Sequence, residues 1–191
     1  MKRFSTLIIL LIGCTLTLNA QKMTPELLWK LGRVSLSDVS EDGTSFLYTV
    51  TRYDLDSNES TKDLYLMDSK GGEAHSLTPR LDKLSDAQFV GDQIGFTHEE
   101  QFHLVDQKGE NQRTITAIPE GVKGVKAYPQ KGGKLLLIFT KKFQTQPPTE
   151  DKYPQMTKAN VKIIDDLMYR HWDHWEDEKS SHLCFARYEG Q

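Results

Sequence analysis

An unusual cluster of aromatic, basic and acidic residues lies near the end of this 191-residue sequence. It holds two of the three tryptophans, and it consists of Tyr169, Arg170, His171, Trp172, Asp173, His174, Trp175, Glu176 and Asp177. Histidines three residues apart share one face of a helix, so His171 and His174 could bind a metal ion there. Because that spacing is generic, we predict no metal site. The alternative is that the tryptophans pack and the polar groups face solvent.

The sequence contains none of the familiar catalytic motifs. It has no Gly-x-Ser-x-Gly nucleophile turn, no Cys-x-x-Cys and no His-Glu-x-x-His. The segment that begins at Gly132 and Gly133 lacks both the spacing and the hydroxyl of a phosphate-binding loop. We therefore predict no catalytic residue, no cofactor and no hydrolysis by this chain alone.

The elements that would position the aromatic cluster follow from an internal repeat. Residues 62–78 read as a strand, a turn with two glycines and a second strand, and residues 102–116 repeat the pattern. The offset is 38 residues, which is 106 minus 68 for Asp68 and Asp106. The same offset relates Lys70 to Lys108, Gly71 to Gly109, and Thr78 to Thr116. Strand-rich repeats of about 40 residues are typical of β-propeller blades.

The remaining strands of each repeat lie upstream of these hairpins. Residues 39–50 and 87–97 each hold a short strand, a turn and a second strand, and residues 125–140 open a third unit. The alternative is an unrelated run of hairpins in a sandwich or barrel. We predict an all-β fold, a partial β-propeller of about three blades.

Two helical segments interrupt the strand pattern. Thr24 and Pro25 mark the start of a short N-terminal helix that ends at Gly32. The third blade is interrupted by a proline-rich loop and by residues 160–169, where Val161, Ile164 and Met168 recur at helical spacing. We predict a helical insertion there, and the strand pattern resumes at residues 182–187. Residues 52–61 are polar, and we predict that they form an excursion between two strands of the first blade.

Composition and the N-terminus predict export. The formal net charge is −3, so a basic surface for nucleic acid is not expected. Residues 1–20 have a basic start, an apolar stretch and a small residue at Ala20, which predicts a secretory signal peptide. Its removal takes two basic residues and leaves 22 basic against 27 acidic residues, and no membrane span is expected to remain. A lipid anchor on Cys14 is the alternative, but the apolar stretch continues past it.

The mature sequence resembles a known peptidase family in several motifs. They are the run from Met23 to Val34, then Val39-Ser40-Glu41-Asp42-Gly43, Leu47-Tyr48-Thr49-Val50, Tyr65-Leu66-Met67-Asp68-x-x-Gly71-Gly72-Glu73 and Leu167-Met168-Tyr169-Arg170-His171-Trp172-Asp173-x-Trp175. Together they resemble the start of exported bacterial prolyl oligopeptidase-family serine peptidases of the dipeptidyl aminopeptidase or acylaminoacyl-peptidase type. The sequence departs from the family at Glu41, where a proline is usual.

The resemblance implies that residues 21–191 form an incomplete N-terminal β-propeller domain. In the family such a propeller caps a C-terminal α/β-hydrolase domain, which is missing here, so no catalytic residue is carried over. The implied function is the substrate-gating portion of an exported serine exopeptidase acting on short peptides. A freestanding periplasmic binding module without catalysis is the alternative. In the full-length context the candidate substrate-binding residues, whose acids would attract a peptide amine and whose indoles would wall the pocket, are Trp172, Asp173, Trp175, Glu176 and Asp177.

Overall fold

The computed structural model describes residues 22–78, 80–158, 161–164, 168, 170–175 and 178–190. Helix α1 (Pro25–Lys30) precedes a first antiparallel sheet, blade 1, with the strand order β1-β2-β3-β4. Its strands are β1 (Arg33–Val39), β2 (Ser45–Asp54), β3 (Glu59–Asp68) and β4 (His75–Ser76). Blade 2 has the same order with β5 (Ser85–Val90), β6 (Gln93–His98), β7 (Gln101–Asp106) and β8 (Arg113–Thr114).

Among the described residues, blade 3 is a three-stranded sheet that carries an insertion. Its strands are β9 (Lys123–Pro129), β10 (Leu135–Gln144) and β13 (Lys179–Tyr188), in the order β13-β10-β9. Between β10 and β13 lie the one-turn helix α2 (Thr149–Lys152) and a small hairpin of β11 (Arg170–His171) and β12 (His174–Trp175). These sheets confirm the predicted all-β fold with three blades, a short N-terminal helix and a third blade with an insertion.

The 38-residue repeat is visible in individual hydrogen bonds. The Leu64 N–H donates to Thr78 Oγ1 at 3.2 Å, and the Phe102 N–H donates to Thr116 Oγ1 at 2.9 Å. The preceding turns also match: Gly71 and Gly109 each donate a backbone N–H to the aspartate carbonyl three residues earlier, at 3.0 Å in both cases. Both glycines have positive φ, which explains why the turns require glycine.

A bulge recurs in the first strand of blades 2 and 3. Two residues of β5 lie opposite Phe96, and two residues of β9 lie opposite Phe139. The first bulge residue is left-handed in both strands, with φ of 53° at Asp86 and 63° at Gly124. The first strand of blade 1 has an irregularity at Ser37, between Leu36 and Asp38, but Ser37 is not left-handed.

Two apolar clusters join the blades. The cluster between blades 1 and 2 contains Leu47, Leu64, Leu77, Leu84, Ala87, Ile94, Phe96 and Val105. The cluster between blades 2 and 3 contains Val90, Phe102, Leu104, Val122, Val125, Ala127, Leu135, Leu137 and Phe139. Blade 2 therefore has apolar side chains on both faces; within β7, for example, Leu104 belongs to the cluster with blade 3 and Val105 to the cluster with blade 1.

Helix α1 lies against blade 1 through aromatic contacts. The Thr24 hydroxyl caps it by accepting the Leu27 N–H at 3.2 Å. Trp29 meets the Tyr53 ring edge to face at 5.1 Å, and the Arg33 guanidinium lies 4.6 Å from both ring centroids. No helix in the described part of the chain has the length and apolar character to cross a bilayer.

Two expectations about local structure were wrong. Val161–Ile164 and Met168, the described residues of the predicted helix over 160–169, have no regular structure. Val161 and Met168 are 46% and 60% exposed and Ile164 is only half-buried, so the apolar stripe gains little of the packing that would stabilise a short helix. The polar excursion at residues 52–61 is instead a continuation of β2 and β3, which pair from Ser45↔Asp68 to Asp54↔Glu59.

Candidate functional site

The aromatic cluster forms the tip of a small hairpin within the insertion. β11 and β12 pair through Arg170↔Trp175 and His171↔His174, and the turn is made by Trp172 and Asp173. Trp172 adopts φ of 53°, an unusual conformation for a tryptophan. The metal hypothesis assumed that the two histidines share one face of a helix. In the structure they instead lie opposite each other in a hairpin.

The side chains at this tip are largely open to solvent. Trp172 is 85% exposed and Trp175 is 56% exposed. The Arg170 guanidinium lies 5.3 Å from the Trp175 ring centroid, and His174 Nε2 is 3.3 Å from Asp173 Oδ1. Both partners of that last pair are exposed, so solvent screens their attraction. The tip thus presents flat apolar surface beside charged groups, an arrangement suited to binding a polar ligand with an apolar part.

Three of the five candidate residues, Trp172, Asp173 and Trp175, are brought together by the hairpin. Glu176 and Asp177 lie outside the described residues. Sequence reasoning did not single out Arg170 as part of the site. Its position opposite Trp175 follows from the two-residue turn of the hairpin, which the sequence did not predict. Among the described residues, no group of three or more metal-ligating side chains comes together.

The base of the insertion is closed by hydrogen bonds next to a long hairpin. β10 and β13 pair without interruption from Leu135↔Tyr188 to Gln144↔Lys179. Immediately beyond, the N–H groups of Thr145 and Gln146 donate to the Glu178 carbonyl at 2.9 and 3.1 Å. The Thr145 hydroxyl also contacts Ser180 Oγ at 3.1 Å. Residues 145 and 178 are therefore fixed to blade 3, which gives the loops between them a rigid support.

A second concave region lies along the first strands of the three blades. It is an open cavity of about 960 Å³ lined by residues that include Asp38, Gln88 and Lys126. Asp42 also lines it, and hydrogen bonds from the Ser40 hydroxyl and then from the Thr44 N–H and hydroxyl lower the pKa of Asp42 to about 2. Asp42 is therefore ionised at neutral pH, although its hydrogen bonds serve the β1–β2 turn.

Comparison with known proteins gives relatives of one functional class. The chain is 28% identical over 165 residues to Dipeptidyl-peptidase 5 of Porphyromonas endodontalis, covering 83% of this chain and 23% of that protein. It is 30% identical over 165 residues to Dipeptidyl-peptidase 5 of Porphyromonas gingivalis, covering 83% of this chain and 24% of that protein. The chain thus spans about a quarter of the length of these relatives. No family model matches the sequence.

Solved structures show the same fold at low identity. An acylaminoacyl peptidase of Pyrococcus horikoshii superposes with a TM-score of 0.58 at 14% identity, over 85% of this chain and 24% of that protein. A variant of the AtxE2 isopeptidase with Astexin3-dC4 bound superposes with a TM-score of 0.61 at 12% identity, over 88% of this chain and 30% of that protein. These matches confirm the predicted resemblance to the propeller part of prolyl oligopeptidase-family peptidases. The particular relatives it matches in sequence are dipeptidyl peptidases.

Proposed function

We propose that this chain is the substrate-gating propeller portion of an exported serine exopeptidase that acts on short peptides. The observation that carries the proposal is its homology to two proteins named Dipeptidyl-peptidase 5, of which it spans about a quarter. Acyl transfer by a serine requires a nucleophile, its base and an oxyanion hole, and the sequence offers no Gly-x-Ser-x-Gly turn. The hydrolase domain would therefore lie in a part of the longer protein that this chain does not span.

The insertion hairpin is the proposed point of contact with the peptide. The rigid attachment at Thr145 and Glu178 supports a loop that carries exposed indoles and an exposed carboxylate. In this proposal Trp172 and Trp175 wall the site, while Asp173, Glu176 and Asp177 attract the free amine of the substrate. The amine would be charged at neutral pH, so a carboxylate there favours peptides with an unblocked N-terminus.

A chimera tests this role directly. Residues 22–190 of this chain replace the matching segment of the Porphyromonas gingivalis enzyme, and kcat/KM is measured on dipeptidyl substrates with free and acetylated N-termini. Glu176→Gln and Asp173→Asn are each expected to lower kcat/KM about tenfold on the free amine and to leave the acetylated substrate unchanged. Asp151→Asn, an exposed acid of α2 in the same insertion, is the matched control. An unchanged ratio between the two substrates in both variants would remove the proposed contact.

Export and inactivity of the isolated chain are part of the same proposal. We expect protein recovered from the periplasm to begin at Gln21, as determined by N-terminal mass spectrometry, whereas a lipid on Cys14 would show the alternative cleavage. The 191-residue chain should not be labelled by a serine-directed fluorophosphonate. Labelling of the pure chain would contradict the proposal that the catalytic serine lies in another part of the longer protein.

A further inference from the structure

A positively charged cavity lies at the end of blade 3 where the insertion begins. Its volume is about 410 Å³, which is in the range of ligand pockets. The charged residues of its described lining are Glu100, Glu120, Lys123, Lys141, Lys142 and Lys179. We call it the lysine cavity, because four lysines outnumber two glutamates there, although the whole sequence has 24 basic and 27 acidic residues.

Blade 3 places this cavity next to the base of the insertion. Lys123 begins β9, Lys142 lies near the end of β10, and Lys179 begins β13. Lys142 stands three residues before Thr145, and Lys179 directly follows Glu178. The Thr145 N–H donates to the Glu178 carbonyl at 2.9 Å, which closes the base. The lysine cavity therefore lies at the foot of the loop whose tip is the proposed contact with the peptide.

The two glutamates offset only half of the positive charge. Glu120, in the connection between β8 and β9, has its Oε2 3.0 Å from Lys141 Nζ. Glu100, in the β6–β7 turn, has its Oε1 3.5 Å from Lys123 Nζ, and both of these side chains are more than half exposed. Four lysines against two glutamates leave an excess of two ammonium groups in the described lining, and Ser181 adds a hydroxyl. Such a lining favours an anion that accepts several hydrogen bonds.

The internal repeat shows that the blade fold does not require Lys123. In each blade a threonine of the second strand pairs with a residue of the first strand, namely Thr49 with Ser35, Thr97 with Ser85, and Thr140 with Lys123. The threonine is kept in all three blades, whereas its partner is a serine in blades 1 and 2 and a lysine in blade 3. The strand pairing at this point is therefore compatible with a small neutral side chain.

The other three lysines of the cavity are likewise absent from the matching positions of blade 1. The second and third strands of the two blades are aligned by the pairs Thr49↔Leu64 and Thr140↔Leu183. Counted from these pairs, Lys141, Lys142 and Lys179 correspond to Val50, Thr51 and Ser60. Blade 1 forms the same three strand pairings without a lysine at any of these positions. The repeat therefore does not account for the lysines, and a role in binding does.

We propose that the lysine cavity binds a carboxylate of the peptide substrate, either the C-terminal carboxylate or that of an acidic side chain. This proposal rests on the proposed function and deepens it, because it adds a second charged contact to the same insertion. The acids of the hairpin would attract the free amine, and the lysines at the foot of the loop would attract the carboxylate. The substrate class is then short peptides that carry both a free amine and a carboxylate.

Peptide binding to the 191-residue chain tests the cavity without any need for catalysis. The probes are an alanine tetrapeptide with a free C-terminus, the same peptide with a C-terminal amide, and an amide whose last residue is glutamate. NMR of the ¹⁵N-labelled chain follows the amide signals of residues 140–142 and 179–181 during each titration. The two peptides with a carboxylate should bind at least about fivefold more tightly than the neutral amide, and their relative affinity shows which carboxylate is preferred.

Variants locate the bound carboxylate. Lys142→Met combined with Lys179→Met should abolish the difference between the carboxylate and amide forms. Lys123→Met, a change of one exposed side chain, should reduce it and provides the test if the double variant does not fold. Lys131→Met is the matched control, because Lys131 is exposed in the β9–β10 turn at the other end of blade 3. In the chimera with the Porphyromonas gingivalis enzyme, Lys142→Met should lower kcat/KM about fivefold on the carboxylate peptide and leave the neutral amide unchanged.

The outcomes separate this proposal from the one on function. Equal affinity of the parent chain for the carboxylate and amide forms overturns it, even if the chimera hydrolyses peptides. A preference for the carboxylate that persists in the lysine variants places the carboxylate elsewhere and also overturns it. A preference that is lost in those variants, together with a chimera that lacks peptidase activity, supports the lysine cavity while the proposed function fails.

Discussion

Blades 2 and 3 share a strand pattern, but their apolar faces differ in how far they are buried. In blade 2 one face packs against blade 1 and the other face packs against blade 3. Within the described residues, blade 3 is covered only on the face toward blade 2, and its opposite face exposes Leu183 and Phe185. The comparison shows that the repeat specifies which residues are apolar, whereas burial depends on whether a neighbouring sheet is present.

The largest expected effect is the difference in stability lost when an aromatic ring is removed from the covered face of blade 2 and from the exposed face of blade 3. Phe102→Ala should lower the free energy of unfolding by about 3 to 5 kcal/mol, because it removes a fully buried ring from the cluster between blades 2 and 3. Phe185→Ala in the same chain should cost less than about 0.5 kcal/mol, because the ring is already exposed. Urea denaturation of both variants measures the difference. Comparable losses would show that Phe185 is covered in solution.

A glycine in blade 2 sharpens the comparison further. A Cβ at Gly95 would lie 2.3 Å from Phe102 Cζ and 3.0 Å from Val90 Cγ2. Gly95→Ala should therefore destabilise the chain by about 2 to 3 kcal/mol through overpacking. Adding Phe102→Leu should recover part of that loss, a non-additivity that thermal unfolding of the single and double variants reveals. Strictly additive losses would argue against a clash with the ring.

The hydroxyl of Thr116 should matter less than the packing of blade 2. Thr116→Val leaves the buried Phe102 N–H without its acceptor and should cost about 1 kcal/mol or slightly more. Thr114→Val, two residues earlier and exposed in β8, is the matched control and should be nearly neutral. Denaturant midpoints of the two variants check this, and equal midpoints would mean that water replaces the hydroxyl.

The smallest effect concerns the turn at the end of the third strand. In blade 2, hydrogen bonds from the Glu110 N–H and then the Asn111 amide hold the pKa of Asp106 below its ordinary value of 3.8. A carboxyl with a depressed folded-state pKa contributes stability above the unfolded pKa and loses it as the pH falls through the folded value. Asp106→Asn should therefore flatten the melting temperature below about pH 4.

Blade 3 supplies the control for that measurement. Arg187 stands three residues before Gly190, as Asp106 stands before Gly109, so a guanidinium occupies in blade 3 the position that the turn carboxylate has in blade 2. Arg187→Gln should change the acid part of the profile much less than Asp106→Asn does, because Lys134 and only then Arg187 lower the pKa of the exposed Glu189. A parallel change in both variants would mean that the turn carboxylate has no part in the acid response.

Much of the fold was predictable because local residue patterns specify its turns and strands. The turns at Gly71 and Gly109 require positive φ, and apolar residues two apart mark strands, so blades 1 and 2 follow from residue types. The role of Thr78 was visible only as a repeated residue, and the structure shows that its hydroxyl accepts the Leu64 N–H. The contacts made by Asp38 and Gln88 join residues about 40 to 50 positions apart, and residue types alone do not reveal them.

The candidate site was predictable in composition but not in geometry. The spacing of Val161, Ile164 and Met168 predicted a helix, yet the described residues are irregular, because a short amphipathic segment needs a surface to pack on. The left-handed Trp172 runs against the preference of its residue type, so no sequence rule would place a hairpin turn there. Long-range packing and backbone conformations that oppose local preference are what sequence reasoning missed.

The length of an edge strand determines how readily another polypeptide can pair with it. β4 and β8, each of which forms one edge of its blade, have two residues each, so these two edges offer almost no template for strand addition. One edge of the described blade 3 is β13, whose ten residues include the apolar run Leu183–Ala186. A long apolar edge strand of this kind can recruit extended polypeptide by backbone pairing, the first step of cross-β aggregation. One edge of blade 1 and one of blade 2 are therefore protected against misassembly by a short strand, whereas β13 of the described blade 3 is long enough to pair with a foreign strand.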